Sequence, residues 1–262
     1  MFEQKQFYNV DDLVKVIAAL REPNGCPWDR EQNHHSIRMN FIEEVYEAIE
    51  AIDNEDRELL REELGDVLLQ VVFHAQMEHE VGGFSFNDVC NDVCQKMVRR
   101  HPHVFGDVVA NDSDEALKSW EAAKRSEKGQ QNAAAALESV SRSLPALMRA
   151  EKIGGRAAKA GFDYDRASEA LDDLKSEVTE LEEALAGGDI SAIEDELGDV
   201  FFAAVNVARL NKLNPELALT HAVDKFSQRF AIVEQLANER GIDMKSAGMN
   251  ELNSLWKEAK NK

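Results

Sequence analysis

Helix breakers, thiols and positive charge are all scarce in this sequence, and each shortage closes off a class of answers. Five prolines and fourteen glycines in 262 residues leave long stretches uninterrupted, which disfavours turn-rich β folds. Three cysteines, Cys26, Cys90 and Cys94, form neither an even disulfide framework nor a CxxC metal knuckle. Covalent staples and zinc knuckles are thereby excluded, and the reducing cytoplasm is the expected compartment. No run approaches the roughly 18 apolar residues of a membrane span, and Met1-Phe2-Glu3-Gln4-Lys5-Gln6-Phe7 lacks the basic-then-apolar pattern of an export signal. A soluble protein without a membrane partner is expected. Lys plus Arg number 30 against 50 Asp plus Glu, a formal net charge of −20. Such a field repels polyanions and excludes duplex nucleic acid as a partner. A small polyanion such as a nucleotide stays compatible where a divalent cation and a local basic patch offset the surrounding carboxylates.

Helical periodicity, by contrast, is abundant. Leu64, Val67, Leu68, Val71, Val72 and Ala75 recur at three- and four-residue spacing, and comparable patterns fill the chain, so the expected fold class is all-α. At 44% hydrophobic and 31% charged, the chain reads as folded and heavily solvated. The polar, aperiodic stretch Ser126-Glu127-Lys128-Gly129-Gln130-Gln131-Asn132 marks a seam, giving a linker over 126–138 between domains 1–125 and 139–262.

The two halves are copies. A shift of 133 positions lays Glu44-Val45-Tyr46-Glu47 on Glu177-Val178-Thr179-Glu180, and Glu63-Leu64-Gly65-Asp66-Val67 on Glu196-Leu197-Gly198-Asp199-Val200. Glu50, Ala51, Asp56, Val72 and Ala75 match Glu183, Ala184, Asp189, Val205 and Ala208 in the same register. With small length changes, Lys96, Arg100, Trp120 and Lys124 recur as Lys225, Arg229, Trp256 and Lys260. Each copy of about 125 residues holds four helices or so, a tandem duplication of a four-helix bundle.

In each copy one helix offers carboxylates at i and i+3, Glu44 with Glu47 and Glu177 with Glu180. A second offers Glu63 with Asp66 and Glu196 with Asp199, and the fifteen residues between the pairs suffice for a turn and an antiparallel return. The four carboxylates then converge between two helices, and ionised groups so placed repel unless a cation joins them. All-oxygen ligands select a hard ion, Mg²⁺ or Mn²⁺. An acidic chain also shows Glu pairs on solvated faces. Against that stand the apolar neighbours Val45, Leu64, Val67 and Leu68, and the mid-helix glycines Gly65 and Gly198, which suggest close approach of another backbone or a ligand. A di-iron centre requires Glu-x-x-His on two helices, and only Glu31-Gln32-Asn33-His34 fits.

Lys225 and Arg229 share a helical face at a spacing suited to adjacent phosphates, or to a solvated basic face. Trp256 and Lys260 repeat the arrangement with an aromatic plane that serves either as core or as a stacking platform. His101-Pro102-His103 reads as a helix stop followed by a loop, and Cys90 with Cys94 as core residues on one helical face.

Glu-Glu-x-x-Glu followed by Glu-x-x-Asp in an all-α tandem repeat resembles the MazG family of nucleoside triphosphate pyrophosphohydrolases. The likeness runs nearly the full length through Asn24-Gly25-Cys26-Pro27-Trp28-Asp29, Glu62-Glu63-Leu64-Gly65-Asp66, Arg99-Arg100-His101-Pro102-His103-Val104-Phe105 and Ser143-Leu144-Pro145-Ala146-Leu147-Met148-Arg149-Ala150. The resemblance implies Mg²⁺-dependent cleavage of a (d)NTP to monophosphate and pyrophosphate in a homodimer of helical bundles, mostly in the C-terminal copy. By position it implies Glu177, Glu180, Glu196 and Asp199 as metal ligands. Lys225 and Arg229 become triphosphate contacts, and Trp256 and Lys260 nucleotide contacts. Glu44, Glu47, Glu63 and Asp66 are the second-copy candidates. One position departs: the first Glu of the motif, Glu43, is Ser176 in the C-terminal copy. Two other readings stay open, a non-catalytic acidic helical protein that binds metal or a partner, and a pyrophosphohydrolase restricted to one base.

Overall fold

A computed structural model describes residues 4–128 and 133–261, and every regular element within them is helical. The chain is an all-α tandem duplication that divides into two compact units between Lys128 and Gly129. Unit 1 contains α1 (Val10–Arg21), α2 (Pro27–Glu31), α3 (Arg38–Asp53), α4 (Arg57–Glu80), α5 (Phe86–Arg100), α6 (Pro102–Phe105) and α7 (Ser113–Lys128). Unit 2 contains α8 (Ala133–Glu138), α9 (Ala146–Lys159), α10 (Ala167–Gly187), α11 (Ile190–Leu210), α12 (Pro215–Glu239) and α13 (Met249–Ala259). Of the expected linker, 126–128 end α7, 133–138 form α8, and 129–132 lie outside the described residues.

The element that carries the acidic candidates is the antiparallel hairpin, α3 with α4 and α10 with α11. Its turn is written into the sequence. Asp56 accepts from the backbone N–H groups of Glu58 and Leu59, and its repeat partner Asp189 accepts from that of Ser191. Each carboxylate satisfies amide groups that the helix start leaves without partners. The residue just before each cap turns left-handed, Gly188 at φ 74° in unit 2 and Glu55 at φ 54° in unit 1.

Each unit has its own apolar core. In unit 1, Ile17, Ile37, Val72, Phe73 and Met77 are buried together, tying α1 to α4. In unit 2, Val233, Leu236, Ala237, Leu255 and Ala259 join α12 to α13, with Trp256 packed against them. Each large aliphatic or aromatic side chain removed from water contributes about 1.5–3 kcal/mol.

Three local expectations need correcting. A Cβ added at Gly65 or Gly198 meets no atom within 4 Å, so no other backbone of the described chain approaches either glycine; both lie on an open helix face. Cys94 is exposed and Cys90 half-buried, because α5 covers α4 with other residues. After His101 the chain forms the single turn α6 rather than a loop, its first position occupied by Pro102, whose fixed φ suits a helix start.

Candidate functional site

Four acidic side chains approach one another on each hairpin, three of them tightly. In unit 2, carboxylate oxygens of Glu177 on α10 and of Glu196 and Asp199 on α11 all lie within 4.8 Å of one another. Glu44, Glu63 and Asp66 form the equivalent trio in unit 1. Helical spacing explains the arrangement: Glu196 and Asp199 share a face of α11, and the antiparallel return brings Glu177 opposite them.

The fourth carboxylate stands beside each trio, outside the tightest grouping. Partial burial first, then repulsion led by Glu180 and Asp199, raises the pKa of Glu177; burial followed by Glu180 and Asp199 does the same for Glu196. Glu44 is raised by burial, Asp66 and Glu47, and Glu63 by burial, Glu47 and Asp66. Every shift has the same sign and the same causes. Among the described residues, only burial and other carboxylates shift these four groups, and no cation offsets them.

The copies differ at the first motif position. Glu43 adds to the charge pressing on Glu44. Ser176 instead donates its hydroxyl to Glu180 Oε1 at 3.4 Å. Unit 2 therefore exchanges the charge of Glu43 for a hydroxyl that steadies the acid outside its trio, while Asp173, where unit 1 has Asn40, adds to the charge pressing on Glu177.

A further anchor was not read from the sequence. Arg209 on α11 grips Asp163 with two nitrogens, at 3.1 and 2.5 Å, which fixes the turn that carries Tyr164. The Tyr164 hydroxyl donates to Asp173 Oδ2 at 2.7 Å. That bond, burial and the negative charge of Asp173 and Glu177 push the phenol up to about 12. Asp173 lies one helical turn before Glu177, a spacing visible in the sequence. The 46-residue separation of Asp163 and Arg209 left no local signal.

The basic and aromatic candidates sit on other helices. Lys225 is exposed and Arg229 half-buried on α12, which packs on α9, α11 and α13, and neither joins an ion pair among the described residues. Trp256 on α13 lies 5.0 Å from the Phe226 ring, and its other contacts are with the core, so part of its surface is structural. Lys260 is exposed at the end of α13. In unit 1 the matching residues meet directly: Arg100 and Lys124 lie over the Trp120 ring at 5.6 and 4.6 Å.

Each repeated helical hairpin of this all-α protein thus gathers acidic oxygens that could hold a metal ion. Comparison with known proteins sharpens that reading. The MazG nucleotide pyrophosphohydrolase domain matches residues 32–105 and 167–246, one match on each hairpin. The chain is 43% identical over 254 residues to the nucleoside triphosphate pyrophosphohydrolase of Escherichia coli K12, covering 96% of this chain and 97% of that one. It is 40% identical over 250 residues to the Thermotoga maritima nucleoside triphosphate pyrophosphohydrolase/pyrophosphatase MazG, covering 95% of each. An uncharacterised Bacillus subtilis protein, YabN, is 42% identical across 98% of this chain and 53% of its own length. The chain belongs to the MazG nucleotide pyrophosphohydrolase family.

Proposed function

We propose that this enzyme hydrolyses nucleoside triphosphates, deoxy forms included, to the monophosphate and pyrophosphate, and that unit 2 does most of the work. The observation that carries the reading is the carboxylate trio Glu177, Glu196 and Asp199, within 4.8 Å and short of positive charge. Oxygen donors alone, with no His or Cys among them, suit Mg²⁺ or Mn²⁺, and Glu180 completes the set. A divalent ion bound there supplies the charge that lets a triphosphate and a reacting water share so acidic a surface.

The side chains divide the remaining tasks. Water attacks the α-phosphorus in line and one of the glutamates accepts its proton. Lys225 and Arg229 offset the charge that grows on the departing pyrophosphate. Trp256 and Lys260 hold the nucleoside end. The unit 1 cluster, where Trp120 lies against Arg100 and Lys124, supports an aromatic ring and cations working together at this position of the repeat.

The active form is a homodimer. Leu64 is 55% exposed, Phe201 55% and Phe202 41%, and Val223 and Phe226 on α12 are exposed as well. Apolar surface beside a substrate site is what a second copy covers. Three unbonded thiols fit a reducing compartment, the cytoplasm. Two of the similar proteins bear names that state the same activity. The test is a panel of the (d)NTPs with Mg²⁺, with monophosphate and pyrophosphate both quantified. Equal amounts of the two from several bases support the reading; nucleoside diphosphate and orthophosphate contradict it.

A further inference from the structure

Residues from α9, α11 and the turn before α10 converge in unit 2 on a single acid. Gly154 on α9 leaves the room for them: a Cβ there would come within 2.9 Å of Asn206 Oδ1 and 3.1 Å of Arg209 Nε. Arg209 lays its guanidinium into that space. Its Nε and Nη2 each donate to Asn206 Oδ1 at 3.2 Å, while Nη1 and Nη2 donate to Asp163. Asn206 is 5% exposed, so the guanidinium is anchored from the side that water does not reach. Asp163 Oδ1 in turn accepts from the backbone N–H of Tyr164 at 2.9 Å, which fixes the start of the phenol side chain.

The acid at the end of this series is Asp173, whose Oδ2 accepts from the Tyr164 hydroxyl at 2.7 Å. Asp173 stands four residues before Glu177 on α10, so the two share a helix face with about 5–6 Å between their Cβ atoms. It is half-buried, and its charge presses on Glu177. Turning outward to solvent would relieve that repulsion, and the phenol prevents it. Contacts that hold an unfavourable charge in place mark functional sites more often than structural ones. The register of the repeat puts Asn40 and Gln76 of unit 1 opposite Asp173 and Arg209, so the device belongs to one copy. Asp163 neutralises Arg209, and the clamp therefore orders the turn without bringing net positive charge to the acids.

We infer that Tyr164 is a positioning residue of the unit 2 site, fixing Asp173 as an outer acid that accepts a hydrogen bond from water carried by the metal ion. This rests on the metal reading of the carboxylate trio given above. Mg²⁺ and Mn²⁺ dehydrate reluctantly and keep several waters, whose hydrogens need acceptors held in place. Tyr164 occupies Asp173 Oδ2 and leaves Oδ1 for that task. Arg209 and Asp163 act through Tyr164 alone. The unit 1 trio, with Asn40 at this position, has no charged acceptor there.

The test is Mn²⁺ binding by the full chain without nucleotide, read from the electron paramagnetic resonance of the free ion, with the site lost in Asp199→Asn assigned to unit 2. Tyr164→Phe removes one oxygen and is expected to weaken that site about tenfold, the usual effect of losing a partner that orients a metal site. Asp173→Asn is expected to weaken it at least as much, with circular dichroism confirming the fold of both. Because Tyr164 acts through Asp173, adding Tyr164→Phe to Asp173→Asn is expected to cause no further loss. A merely structural tyrosine would weaken both backgrounds alike. Unchanged or tighter binding in Tyr164→Phe, or an equal further loss in the double variant, overturns the inference while the metal reading stands. A parent chain that binds no Mn²⁺ in unit 2 defeats the metal reading and the inference together. The expected pattern in a chain that releases no pyrophosphate from any substrate leaves the inference standing and defeats the proposed activity instead.

Discussion

At Glu177, Glu196 and their neighbours, crowding itself is measurable. Because burial and like charge raise the folded-state pKa of these groups above the unfolded value, the native chain binds more protons than the unfolded chain at mildly acidic pH. Stability then falls as pH rises through that window, the reverse of an ion-paired carboxylate. Because His74 and the ion-paired carboxylates contribute the opposite slope elsewhere in the chain, the contribution of the cluster is read as a difference: we expect the metal-free parent to lose stability relative to Asp199→Asn as pH rises from the mildly acidic range to neutrality, and Mg²⁺ to remove that loss. Paired thermal scans across pH with and without Mg²⁺ check this. A pH-independent difference between the two metal-free proteins contradicts it. By the same logic, Asp199→Asn raises metal-free stability while abolishing turnover, because it removes surplus like charge rather than a core contact.

Arg229 sets the corresponding question for the substrate's charge. If it grips phosphate, Arg229→Ala lowers kcat/KM by about 10²-fold or more. Arg229 joins no ion pair among the described residues, so the melting temperature moves little. Arg229→Lys keeps the charge, loses the two-pronged geometry and recovers only part of the rate. Parent-like kinetics in both variants remove Arg229 from the site.

The hairpin is the element in which sequence and structure agree most closely. Spacing of Glu44, Glu47, Glu63 and Asp66 and of their repeats was enough to foresee two antiparallel helices with facing acids, because helical periodicity and a capping Asp are local signals. The tight group of three, with Glu47 or Glu180 beside it, was not legible, since it depends on how far two helices stand apart. Nor was the Arg209–Asp163 clamp, which joins residues distant in sequence. Gly65 and Gly198 were read as marking close approach of another backbone or a ligand, and among the described residues no backbone approaches either. Sequence shows that a helix tolerates glycine but not which face looks outward.

The hairpin turn offers its own test. Glu55 adopts φ 54° where the other copy has Gly188, and a residue with a Cβ is strained there. Glu55→Gly is expected to stabilise unit 1 by about 0.5–1 kcal/mol, and Gly188→Ala to cost unit 2 about 1 kcal/mol. Chemical denaturation reads both. Arg209→Ala, which unties Asp163 and so the turn holding Tyr164, is expected to cost about 1–3 kcal/mol, in the range of hydrogen bonds to charged groups.

For the whole molecule, duplication poses the question of which copy turns over substrate. In the unit 2 site Ser176 donates its hydroxyl to Glu180, the acid beside the trio, which favours it as the better-ordered centre. Glu180→Ala is therefore expected to cost far more activity than Glu47→Ala. Equal losses in a steady-state assay mean that both copies contribute, and a larger loss at Glu47 reverses the assignment. The exposed apolar side chains beside the sites give a second check at this scale: Phe201→Asp is expected to shift sedimentation from dimer to monomer and to reduce turnover with it.

Attack of water on the α-phosphorus at a divalent-ion site is tested most directly by turnover in ¹⁸O-labelled water, with each product analysed by mass. After chelation no product is expected, and with Mg²⁺ restored one ¹⁸O appears in the nucleoside monophosphate while the pyrophosphate stays unlabelled. Label in the pyrophosphate, or undiminished turnover in the chelated protein, contradicts it.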